Sequence, residues 1–269
     1  MSNHTTRTPE TYAYQRRWTL LLVALVMFAW SGCKPEGSSA TAEVKIAAAS
    51  NLTYVFKEVA KEYERRHGQP VTLVFGSSGL LAKQISEGAP FDAYFSANVA
   101  FVEQVVAKGV CDGSTVIPYA RSGIVLWSRS AEAEIKSVAD LRDDRFKKIA
   151  IANPEFAPYG RAAKQALERS GIWEQVEPRI VMADNVKHAQ QYAQTGNADV
   201  AILPAPLAVA EKSGHSVPID HALHDAVEQT AVICKRGTST AGGKKFVDFV
   251  VSPEGFAILE RFGFIAPGG

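Results

Sequence analysis

Four short stretches of this chain place serine, asparagine or a small residue where a β-like run gives way to a helical one. They are AAASNL (47–52), VFGSSGLLAKQI (74–85), IANPEFAPYGRAAKQAL (151–167) and MADNVKHAQ (182–190). The residues entering the helices are Ser50-Asn51, Ser77-Ser78, Tyr159-Gly160 and Asn185-Val186. The first backbone N–H groups of a helix have no intrahelical partner, and the helix dipole adds partial positive charge there. Such a terminus can receive an oxyanion without lysine or arginine. Taken singly, each turn reads as an ordinary N-cap, because Ser and Asn are common caps. Four of them at one end of two sheets read as an anion site. None places Asp or Glu at the contact position; the nearest carboxylates, Glu155 and Asp184, are expected to face outward or to cap.

Other chemistries fit poorly. GSSG at 76–79 is followed by neither GKS nor GKT, so it is not a nucleotide phosphate loop. There is no GxSxG elbow, and nothing assigns a histidine as base to Ser77 or Ser78, so a hydrolase is disfavoured. There is no CxxC, and His221 and His224 have no third candidate ligand nearby. The chain reads as a binding protein, not an enzyme, with no cofactor.

The elements that carry these turns alternate regularly. Strand-like runs at 44–49, 71–75 and 93–97 are each followed by a helical pattern, at 52–68, 78–88 and 99–109. After a strand at 123–128 the alternation restarts, with strands at 148–153, 179–183 and 199–204 and helices at 160–171 and 186–196. A polar stretch around SGHSVPIDHALHD reads as a loop and leads to a strand at 229–234 and two terminal helices, 240–251 and 254–261. This is the pattern of α/β sheets with mostly parallel strands. The predicted division is residues 43–122 plus 229–269 as one lobe and 123–228 as the other, with a ligand cleft between them. Ligands of open α/β sheets sit beyond the carboxyl ends of the strands.

The N-terminus is read as outside the fold. Arg16-Arg17 precede an apolar run from Leu20 to Trp30, and small residues follow, which makes residues 1–33 a secretory signal. Ser31-Gly32-Cys33 is similar to a bacterial lipobox, so Cys33 is a lipidation candidate; an ordinary cleaved signal is the alternative. Residues 34–42 read as a flexible tether. The full chain carries +1, and removal of Arg7, Glu10, Arg16 and Arg17 leaves the remainder near −1. So neutral a chain gathers neither nucleic acid nor anions by bulk field. Cys111 and Cys234 are either a disulfide or two separate buried thiols.

AAASNLT, FGSSGLLAKQISEGAPFDAYFSA, IANPEFAPYGRAAKQAL, ADNV and the terminal SPEGFAILERFGF resemble the periplasmic molybdate-binding proteins of ABC importers, across essentially all of residues 43–267. The resemblance implies the two-lobed periplasmic binding protein fold and an oxyanion held by neutral donors. Matched motif by motif, it implies Ser50 with Asn51 beside it, Ser78, Tyr159 and Val186 as the ligand-binding residues. Molybdenum or tungsten would enter only as the bound oxyanion, with no direct protein–metal bond. Two positions depart from the pattern. Many members have a small residue where this chain has Tyr159, and many have tyrosine where it has Pro204, so the Tyr159 hydroxyl is expected to compensate. The implied function is capture of molybdate or tungstate by a periplasmic monomer that delivers it to the membrane subunits of an ABC permease. It implies lobes hinging near 121–124 and 227–230. Sulfate, thiosulfate or phosphate is the alternative ligand.

Overall fold

The computed structural model describes residues 42–130 and 134–268, so the predicted signal, Cys33 and nearly all of the tether lie outside the described residues. The first sheet takes β1 (Val44–Ala49), β2 (Val71–Gly76), β3 (Ala93–Ser96), β4 (Ile117–Ser122) and, from far along the chain, β10 (Val227–Ile233). Helices α1 (Val55–His67), α2 (Ser78–Ser86) and α3 (Val99–Ala107) connect the first strands. The second sheet takes β5 (Ile124–Ser128), β6 (Ile149–Ala152), β7 (Ile180–Ala183), β8 (Val200–Pro204) and β9 (His215–Pro218). Its helices are α4 (Pro158–Arg169), α5 (Trp173–Val176), α6 (Val186–Gln194) and α7 (Ala205–Ala210). Helices α8 (Thr240–Val251) and α9 (Pro253–Arg261) close the chain.

The two sheets share one plan. Their orders are β2-β1-β3-β10-β4 and β7-β6-β8-β5-β9. In the first, β1 pairs parallel with β2 and β3, whereas β10 is antiparallel to both neighbours. In the second, β6 pairs parallel with β7 and β8, whereas β5 is antiparallel to both neighbours. Four strands of each sheet therefore run one way. The fifth is inserted as the chain crosses over, at Gly123 on the way out and between β9 and β10 on the return.

Alternation located the central strands because both of their faces are covered, which makes them continuous apolar runs. Strands β4 and β9 escaped it. Both are edge strands: IPYARS carries Pro118 and Arg121, and HSVP ends in Pro218. An edge tolerates proline and polar residues that a central strand does not. HSVP lies in the stretch expected to be a loop. Helix α7 was also unread, its six residues being too few for periodicity. Helix α4 begins at Pro158, two residues earlier than expected, with proline at a position where its missing N–H costs nothing.

Helices α8 and α9 return to the first sheet, and α8 lies against β1, β3, β10 and α1. The contact is aromatic. Phe246 is fully buried, and its ring meets Phe56 at 5.9 Å, Tyr63 at 5.2 Å and Phe95 at 5.8 Å, all edge-to-face. This joins the C-terminal helices to α1 and β3. Phe246→Ala should lower unfolding free energy by about 3–5 kcal/mol, the usual cost of an aromatic cavity, as measured by chemical denaturation.

Candidate functional site

Strand register decides which turns meet. Ala49 of β1 lies opposite Gly76 of β2, so the chain leaves the two strands side by side, one path through Ser50 and the other through Ser77. Ala152 of β6 lies opposite Ala183 of β7 in the same way. The carboxyl ends of the two sheets face a shared cavity lined by Ser50, Asn51, Ser77, Ser78, Tyr159 and Val186, with small residues such as Ala49, Gly76 and Ala97 completing the wall. All five residues expected from sequence are brought together there, and they are buried: Ser50 4 %, Asn51 2 %, Ser78 1 %, Tyr159 2 % and Val186 3 % exposed. The cavity has a volume of about 10 Å³. Sites that bury organic ligands run to roughly 300–1,000 Å³, so this one is too small for them and leaves room only for a small ion.

The plain cap reading fails at three of the four turns. Ser50–Leu52 form a short 3-10 turn with no side-chain cap, and α1 begins only at Val55, also uncapped. Helix α2 has Ser77 at its N-cap position, yet Ser77 makes no capping bond. Helix α4 has Ala157 there, which cannot cap. By contrast, Asn98 caps α3 and Ser252 caps α9, both away from the cavity. Only α6 follows the usual rule: Asn185 accepts from Lys187 and His188 N–H, which leaves the Val186 N–H outside the cap.

The side chains are set up to donate. Ser78 Oγ accepts from Ala97 N–H at 3.1 Å, which leaves its own proton for another acceptor. Ser77 Oγ is buried, lines the cavity and has no hydrogen-bond partner in the protein. A buried hydroxyl left unpaired costs about 1–3 kcal/mol. Asn51 Nδ2 donates to Gln229 Oε1 at 2.9 Å, which fixes the amide and leaves its second N–H free for use. Among the described residues, no ionisable side chain except the Tyr159 phenol lines the cavity. Burial raises that phenol's pKa, so it stays protonated at physiological pH. Asp184 and Glu155 are exposed, and Asp184 lies 3.4 Å from His188.

The Tyr159 hydroxyl has partners within the protein. It lies 2.6 Å from Ser122 Oγ and accepts from Gln229 Nε2 at 3.0 Å. Ser122 ends β4 and Gln229 lies in β10, so the phenol is tied to both strands of the crossover; Pro204, which ends β8, is not among the residues lining the cavity. Gln229 is fully buried and links Asn51 to Tyr159. Sequence reading missed it, although a glutamine inside the apolar run VEQTAVI was a signal.

Two glycines admit close approaches at the site. A Cβ on Gly160 would sit 2.1 Å from the Ala152 carbonyl oxygen, so only glycine lets α4 start against the end of β6. A Cβ on Gly79 would sit 3.0 Å from Phe156 Cα. Across that gap Gly79 N–H donates to Phe156 O at 2.8 Å, a backbone bond between the lobes. Lys187 supplies another cross-lobe contact, lying over the Tyr54 ring at 4.3 Å while bonding the Tyr54 hydroxyl and Gln190.

The chain resembles known proteins along most of its length. The family model described as "Bacterial extracellular solute-binding protein" matches residues 44–265. The molybdate-binding protein ModA of Rhodobacter capsulatus is 32 % identical over 84 % of this chain and 90 % of that protein. The solved periplasmic molybdate-binding protein of Azotobacter vinelandii superposes with a TM-score of 0.79 at 28 % identity, covering 83 % of this chain and 99 % of that one. The sulfate-binding protein SubI of Mycobacterium tuberculosis H37Rv has a TM-score of 0.72 at 14 % identity, covering 84 % and 87 %; that likeness speaks to the fold alone.

Gln229→Leu strands Asn51 Nδ2 in a buried place, at about 1–3 kcal/mol, and takes from the Tyr159 hydroxyl one of its two partners, Ser122 remaining. The expected result is a clear drop in denaturation midpoint, larger than that of Gln229→Glu, whose carboxyl still accepts from Asn51.

Proposed function

This chain belongs to the bacterial extracellular solute-binding protein family, and we propose that it captures molybdate, or tungstate, for delivery to an ABC import permease. The observation that carries this reading is the set of uncapped helix starts around a buried cavity with neutral donors and no carboxylate. Molybdate and tungstate at neutral pH are dianions without protons, so they accept hydrogen bonds and donate none. A cavity of donors matches them. Protonated phosphate would bring an O–H that finds no carboxylate to accept it, and a poorly matched polar group is costly when buried.

In this reading Ser50 and Ser78 donate through their hydroxyls, Asn51 through its amide, and Val186 through its backbone N–H. Tyr159 donates through its backbone N–H, its hydroxyl being held by Ser122 and Gln229. Ser77 joins the set, because its unpaired hydroxyl gains an acceptor when an oxyanion is bound. The lobes close about the crossovers near 121–124 and 227–230. The cross-lobe bonds of Gly79 with Phe156 and of Lys187 with Tyr54 belong to the closed form. That form presents both lobes to the permease. The protein works outside the cytoplasm, as a monomer, and is anchored to the membrane where Cys33 is lipidated. It makes and breaks no bonds.

Calorimetric titration with molybdate, tungstate, sulfate and phosphate tests the reading. Tight binding of the first two with sulfate silent is expected; sulfate binding as tight as molybdate would overturn it. Ser78→Ala should weaken molybdate binding about 5- to 150-fold, the equivalent of one lost donor at about 1–3 kcal/mol. Ser50→Ala should weaken binding far more than it lowers stability, since Ser50 caps no helix.

A further inference from the structure

Away from the cavity, Cys111 and Cys234 meet. Each is 1 % exposed, and both belong to the apolar cluster that packs α2 and α3 onto the first sheet. They face each other as an isolated antiparallel bridge. Asp112 N–H donates to Ile233 O at 2.9 Å, and Lys235 N–H donates to Val110 O at 2.9 Å. These bonds flank the two cysteines, which are therefore a non-hydrogen-bonded pair. In such a pair the Cα atoms lie about 4.5 Å apart and the side chains come closest. That separation falls inside the roughly 4.4–6.8 Å range that a disulfide spans. The sulfurs already lie 3.1 Å apart, with no backbone movement needed to orient them.

We propose that Cys111 and Cys234 are joined by a disulfide in the exported protein, and that this bond clasps the first lobe at the points where the chain departs and returns. The family's members are described as extracellular, a setting in which disulfides form and persist. The oxidant is the disulfide of an exported thiol–disulfide oxidoreductase. One cysteine thiolate attacks it to give a mixed disulfide and release one oxidant thiolate. The second cysteine thiolate then attacks the mixed disulfide at the protein's own sulfur. The Cys111–Cys234 bond forms, the oxidant leaves as a dithiol carrying the two electrons, and the protein's two thiol protons go to solvent or to the oxidant's thiolates. The contact with Cys111, together with burial, holds the Cys234 thiol far above its usual range. The exchange therefore belongs to folding, before the cluster packs.

The position of the pair gives the bond its consequence. Cys111 precedes β4, and Cys234 follows β10. Residues 112–233 contain β4, all of the second sheet and β10, so one bond closes the whole excursion into the second lobe as a loop. A loop this long gains among the largest stabilisation in the chain-entropy account. The pair lies outside the cavity lining, so the bond does not take part in binding.

The test uses the full chain, expressed with its own N-terminal segment, exported by a bacterial host and purified without reductant. After denaturation and alkylation of free thiols, peptide mass spectrometry should find Cys111 and Cys234 in one disulfide-linked pair. Reductant should lower the melting midpoint by about 10 °C or more. The Cys111→Ala/Cys234→Ala protein should melt at the lower midpoint with no response to reductant, and should bind molybdate as the parent does. Alkylation of both cysteines without a linked peptide overturns the bond, whatever the variants do. A linked peptide with no reductant-dependent shift overturns the clasp.

Discussion

A helix that begins in a protein interior leaves backbone donors that something must accept. Here three helix starts converge on one cavity without side-chain caps. Much of the surrounding construction follows from that constraint. Strands must end level with one another, which the Ala49–Gly76 and Ala152–Ala183 register provides. Residues leaving the strands must be small, so that backbones reach the cavity. Gly160 must lack a Cβ so that α4 can start against β6. Charged groups must stay away, and Asp184 and Glu155 lie in solvent. The polarity needed for an anion is supplied by backbone geometry and hydroxyls, in a chain whose net charge is close to zero.

The cavity is also wired to the crossover. Asn51, Gln229, Tyr159 and Ser122 form one hydrogen-bonded series. Asn51 follows β1, Tyr159 begins α4, and Ser122 and Gln229 lie in β4 and β10. A relative rotation of the lobes cannot occur without disturbing this series, and a shift of Asn51 or Tyr159 reaches the crossover strands directly. Gln229 suits the role because its amide accepts at one end and donates at the other, so a single side chain joins a donor, Asn51 Nδ2, to an acceptor, the Tyr159 hydroxyl oxygen.

The fold class was legible because buried parallel strands and amphipathic helices leave strong periodic marks, and the turns between them name themselves by composition. The four turns facing the cavity were visible for the same reason. Edge strands β4 and β9 were not, since Pro118, Arg121 and Pro218 interrupt their apolar pattern. The orientation of the Tyr159 hydroxyl was equally hidden, because Ser122 and Gln229 are 37 and 70 residues away from it in sequence. In FGSS the resemblance singled out Ser78 alone. The structure adds Ser77, by giving Ser78 Oγ the Ala97 N–H and leaving Ser77 Oγ with no protein partner.

Strand order has a consequence for how the chain is made. In the first sheet β10 lies between β3 and β4, so the gap between those early strands stays open until residues 227–233 arrive. The aromatic helix α8, which seals the same lobe, comes later still. An N-terminal portion of the chain can pair β1, β2 and β3 but cannot add β4 to them, so the first lobe matures only near the end of synthesis. Long-range pairing of this kind slows folding. In a family described as extracellular, that delay leaves the first lobe unfinished until its last helices have been made.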